Sequence, residues 1–266
     1  MTSAYPGNEN GMPYNPCVDY PTIFDLVDSA LGSGSVNWKY YTPATDILWN
    51  APWFVAHLYP KTQNLVVDST GTQFEDDVDS GNLAPLTYIV PCDTWSDHEG
   101  VYPPNKKGQT GPYWVNWIVN KIGKSSTYWN NTTIIVTWDD WGGWYDHMTP
   151  FHTPNVYNNN EDPYEYGYRV PMLVISPYLN APGTVDHYPL VNPLPNPPLR
   201  TQASILHYIE AVFGTPSLGA EDSESDNLAE MFNYNRQPLK FVPVDNSPTF
   251  PAGRNDCRQN EDNIDG

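Results

Sequence analysis

Apolar residues along this chain fall into short periodic blocks separated by long polar, proline-rich stretches. Ile23, Leu26, Val27, Ala30 and Leu31 recur at helical spacing behind Pro21, which suits a first turn, and Gly32 closes the block, so a helix is predicted there. VNWKYY (36–41) reads as a short strand, residues 49–60 as an aromatic segment compatible with a short helix, and Thr72 to Asp79 as a helix closed by Ser80–Gly81. LTYIV (86–90) predicts a strand ended by Pro91. Thr110 can cap a helix with Pro112 in its first turn and Trp114, Trp117, Ile118 and Ile122 as its buried stripe. TTIIVT (132–137) is a β-branched run of the kind that is buried on both faces. VPMLVIS (170–176) predicts a further strand, which Pro171 keeps out of an interior position. Thr201 or Ser204 then caps a helix carrying Ile205, Tyr208, Ile209 and Val212 on one face, and Gly214 ends it.

This alternation predicts an α/β fold with a mainly parallel sheet sandwiched by helices. Residues 1–16 read as a loop or tail, 17–219 as the α/β domain, and 220–266 as an extended acidic wrap or tail.

Composition narrows the function. With 10 Trp, 19 Tyr and 28 Pro in 266 residues, the chain is a folded domain with proline-stiffened loops, since disordered chains lack aromatics. Its formal net charge of −19 repels nucleic acid and anionic membrane surfaces and argues against both as partners. The same field repels an anionic substrate, so phosphate chemistry would need a local cation, most simply a metal. No apolar run is long enough for an integral membrane segment, and residues 1–16 lack the basic start and apolar core of a signal peptide. Cys17, Cys92 and Cys257 allow at most one disulfide, with three possible pairings.

Candidate chemistry concentrates where the 132–137 strand stops, in WDDWGGWYDH (138–147). Adjacent strand residues point to opposite faces, so Asp139 and Asp140 can serve one ion only if the backbone bends, and Gly142–Gly143 supply that freedom. Asp146 and His147 follow directly, and Asp97–His98 lie in the loop after the 86–90 strand. In a parallel sheet both segments would follow carboxyl ends of strands and share one edge. Trp138, Trp141 and Trp144 flank the acids and suit either a pocket wall or packing of the loop.

These residues carry a resemblance. IIVTWDDWGGWYDH resembles the central motif of the phosphoesterase family that unites bacterial phospholipases C with an acid phosphatase branch, within the alkaline-phosphatase-like superfamily. PTIFDLVDSALGSGSVNWKYY (21–41), the SDH at 96–98, YGYRVPMLVISPY (166–178), VDH (185–187) and ASILHYIEAVFG (203–214) follow the family's order, over roughly residues 17–235. The resemblance implies a metal-dependent hydrolase of phosphoric esters or phospholipids, secreted or periplasmic. Asp139 and Asp140 match the acidic pair that ligates a divalent metal, and His98 matches the catalytic histidine that contacts the phosphoryl group. Asp97, Asp146 and His147 would support the metal or the phosphate from behind, or hydrogen-bond within their loops.

Two family stretches have no match here: a strand leading into an ENRSFD-like motif, whose first two residues are metal ligands, and a glycine-rich region with the Ser or Thr nucleophile. The resemblance therefore implies a member incomplete at its N-terminus, with little activity alone, and a missing N-terminal half or partner chain that completes the site. The competing reading is a non-catalytic, Trp-rich domain that binds carbohydrate through aromatic platforms.

Overall fold

A computed structural model describes residues 18–32, 34–44, 49–91, 95–97, 111–150, 166–185 and 200–243. The chain divides into two compact units, one made of Met1–Tyr128, Ile209–Pro216 and Val242–Gly266, the other of Trp129–Tyr208 and Ser217–Phe241.

The first unit contains a parallel sheet of β1 (Trp38–Thr42), β2 (Leu65–Val67) and β3 (Leu86–Ile89) in the order β2-β1-β3. Helix α1 (Ile23–Leu31) begins where the backbone N–H and hydroxyl of Thr22 donate to the Asp25 carboxylate at 2.8 and 2.7 Å, the reciprocal half of a capping box. Its Phe24 packs on one face of the sheet, with ring centroids 4.3 Å from Trp38 and 5.5 Å from Tyr88. On the opposite face, Tyr41 meets Phe74 of α2 (Thr72–Ser80), which in turn meets Trp117 of α3 (Gly111–Gly123). Lys39 shares that face with Tyr41, as alternation requires, and its ammonium lies 2.6 Å from the buried carboxylate of Asp77 on α2. The Tyr41 hydroxyl donates to the same carboxylate. Covered on both sides, β1 is buried along all of its length except Lys39. Strand β2 escapes a reading by periodicity because three residues are too few to show alternation.

In the second unit the expectation for the 132–137 run needs correction. Strand β4 (Ile134–Thr137) does not join the parallel sheet. It pairs antiparallel with β5 (Met172–Ile175), Ile134 opposite Ile175 and Thr137 opposite Met172. A parallel pair needs a crossover, usually a helix, and the described residues between β4 and β5 contain none. Nor is β4 buried on both faces: three of its residues are half-buried and Thr137 is exposed. A two-stranded ribbon packs one face only. Ile135, Met172 and Val174 lie on a cluster of Tyr208, Leu228 and Phe232, whereas Leu173, pointing the other way, is 47% exposed. Helix α4 (Ala203–Phe213) starts with both expected cap residues engaged. The Ala203 N–H donates to the Thr201 hydroxyl at 3.1 Å, and the Thr201 N–H donates to the Ser204 hydroxyl at 3.0 Å. Among the described residues, no helix is long and apolar enough to cross a membrane.

Candidate active site

Beyond Thr137 the chain leaves the ribbon and turns back at Gly142 and Gly143, whose φ angles of 66° and 72° lie in the left-handed region. The sequence expected a bend at these glycines, and the backbone turns there. The Gly142 N–H donates to Asp140 Oδ1 at 2.5 Å, and the Trp144 N–H donates to the Trp141 carbonyl at 3.3 Å. From α4's lead-in, the Gln202 amide donates to the carbonyls of Trp138 and Asp139 at 3.0 and 2.7 Å. The backbone of the acidic pair is thus held, while both residues remain exposed. Among the described residues, neither carboxylate forms an ion pair with a cationic side chain.

The segment ahead of β5 packs along the turn. Trp141 lies directly over Gly167, where a Cβ would stand 2.4 Å from its Cζ3. Tyr168 meets Trp141 and Tyr145 edge-on, at centroid distances of 6.1 and 5.9 Å. Arg169 grips Asp146 with two hydrogen bonds, Nε to Oδ2 at 2.6 Å and Nη2 to Oδ1 at 2.8 Å. This guanidinium, with smaller help from the Met148 N–H, holds the Asp146 carboxyl well below the usual carboxylate range despite partial burial. His147 places Nδ1 3.2 Å from Asp146 Oδ1, and its side chain is 79% exposed.

Asp139, Asp140, Asp146 and His147 therefore belong to one loop. Asp97 lies in the other unit, its carboxylate against Gly111 at the start of α3. His98, Thr110 and the three cysteines lie outside the described residues. The idea that the two candidate segments share a sheet edge loses its basis, because β3 and β4 belong to different sheets. The parallel sheet has a carboxyl edge of its own, lined by Tyr41, Asp68, Phe74, Trp95 and Trp114. Asp68 on this edge accepts the Phe74 N–H at 2.8 Å and so serves the start of α2. Sequence reasoning missed Gln202 and Gly167. Gln202 acts on carbonyls more than 60 residues away, and Gly167 matters only because Trp141 lies on it.

As a metal site, the turn fits in kind. Two adjacent, exposed, hard oxygen donors suit a divalent cation. In number it is partial, since no group of three or more metal-ligating side chains is present among the described residues.

An α/β chain that presents an acidic pair on a glycine turn at a strand end has the frame of a ligand- or ion-handling enzyme domain. More particularly, the chain belongs to the Phosphoesterase family, whose model matches residues 7–216. A non-hemolytic phospholipase C of Burkholderia pseudomallei is 26% identical over 172 residues, covering 55% of this chain and 22% of that protein. One from Pseudomonas aeruginosa is 22% identical over 249 residues, 80% of this chain and 34% of that protein. A non-specific phospholipase C of Arabidopsis thaliana is 33% identical over 135 residues, 44% of this chain and 24% of that protein. The chain thus spans between a fifth and about a third of the length of these relatives.

Proposed function

We propose that this chain is part of a metal-dependent phosphoric ester hydrolase that acts on phospholipids in the manner of a phospholipase C. The observation that carries this reading is the Asp139–Asp140 pair, set just beyond the end of β4 and ahead of two left-handed glycines, and left without a cationic partner among the described residues. Membership of the family and the relatives' names supply the reaction class.

Asp139 and Asp140 would hold the metal, which when bound would offset the negative charge that develops on phosphoryl oxygens. Gln202 keeps the backbone of the pair in place by binding two carbonyls. By its resemblance, His98 would donate a proton to the leaving oxygen as the phosphorus–oxygen bond breaks. The attacking hydroxyl and the remaining metal ligands would come from parts of the domain for which this chain carries no matching motif.

The test is metal content and equilibrium binding of Mn²⁺ to the purified chain. Retention of a divalent ion, lost on Asp139→Ala, supports the reading. A chain without metal that binds sugar through Trp141, losing it on Trp141→Ala, would refute it.

A further inference from the structure

We infer that Arg169 is the positioning residue of the acidic turn, acting through Asp146, and that Asp146 is not itself a metal ligand. The inference rests on reading Asp139–Asp140 as the metal-binding pair.

A guanidinium that meets both oxygens of one carboxylate fixes direction as well as distance. Arg169 does this to Asp146 at 2.6 and 2.8 Å. Asp146 Oδ1 also accepts the Met148 N–H at 3.2 Å, so both oxygens are occupied. Its side chain is only 16% exposed, in contrast with the exposed pair. The place of these bonds in the chain gives them their effect. At its start the loop is tied to the lead-in of β5, where the Thr137 hydroxyl donates to the Pro171 carbonyl at 3.1 Å. At its far end it is tied to the same lead-in by Asp146 and Arg169, and midway Tyr168 touches Trp141 and Tyr145. The loop 138–146 is therefore a ring closed on residues 168–171, with the two exposed acids on its rim. Lysine could not replace Arg169, because a single ammonium cannot hold both oxygens in a fixed plane.

The test compares Arg169→Lys and Asp146→Asn with the unsubstituted chain by amide hydrogen exchange and Mn²⁺ titration. Exchange within 139–147 should accelerate about threefold or more in both variants, the scale of an exposed ion pair. Exchange in α1, α2 and β1 should not change. Mn²⁺ affinity should fall about tenfold in both, the scale of lost support behind a metal ligand. Unchanged exchange in 139–147 would overturn the inference. So would loss of all metal in Asp146→Asn alongside normal binding in Arg169→Lys, since that pattern marks Asp146 as a ligand. If the unsubstituted chain binds no Mn²⁺, the metal reading falls, and the exchange measurement still decides the role of Arg169.

Discussion

Leu228 offers a test of how the ribbon that carries the acidic turn is supported. The residue is fully buried between Tyr208 and Phe232, beneath Ile135, Met172 and Val174, and its φ of 59° is left-handed. Leu228→Ala keeps that backbone and removes the side chain, which at buried sites costs about 3 to 5 kcal/mol. That is a large share of the about 5–15 kcal/mol that stabilises an ordinary domain. The informative comparison is with glycine. At an ordinary buried position Gly is less stable than Ala, by about 0.5–1 kcal/mol for backbone freedom and about 0.8 kcal/mol for the lost methyl. Here a left-handed backbone costs any L-residue about 1–2 kcal/mol that glycine avoids. Set against the lost methyl and the backbone freedom together, Leu228→Gly should lie within about 1 kcal/mol of Leu228→Ala in stability. Urea unfolding, read through amide protection in β4 and β5, measures both variants. Glycine less stable than alanine by about 1.5 kcal/mol or more, as at an ordinary buried site, would refute the argument.

Two further outcomes follow from the first unit. Lys39→Met leaves the Asp77 carboxylate buried with its cation removed, which should cost about 3 kcal/mol or more in thermal or chemical unfolding. His57 has Nε2 3.0 Å from Asp25 and Nδ1 in contact with Asp19, a geometry that suits a doubly protonated ring. Burial pulls its pKa down, but the two carboxylates outweigh burial and raise it above the ordinary 6.5. A raised pKa contributes stability that is complete below the unfolded value and is lost as pH rises through the folded one. The stability difference between the unsubstituted chain and His57→Gln should therefore be largest below about pH 6.5 and shrink at higher pH. A difference constant across that range would contradict the pairing.

Much of the first unit is legible in the sequence because its signals are local. The stripe on α1, its Gly32 stop and the Ser80–Gly81 end of α2 are properties of neighbouring residues, and the structure has each where the pattern puts it. The glycine turn is legible for the same reason, since adjacent acids that must leave a strand together need a bend. Partnership is where local signals end. An apolar β-branched run states that a strand forms, and its composition is the same whether it enters a parallel sheet or a ribbon. That β4 pairs with β5 depends on a segment more than 30 residues away. The grip of Arg169 on Asp146 is likewise invisible locally, because any of 31 acidic residues could have answered that arginine.

The charge of the chain sets an order on the chemistry proposed for the turn. Asp139 and Asp140 are adjacent, exposed and without a cationic partner among the described residues, on a chain of net charge −19. At contact distances each such charge repels a phosphate by about 1 kcal/mol in water and by about 4 kcal/mol where solvent is partly excluded. Arg169 adds little to offset this repulsion, since its charge is balanced by the Asp146 carboxylate it meets with Nε and Nη2. A bare turn is therefore an obstacle to a phosphoric ester, and a cation on the acidic pair reverses the sign of that interaction. If the pair holds a metal as proposed, metal and anionic substrate should bind in that order, and the loop that holds the two acids would bear on both.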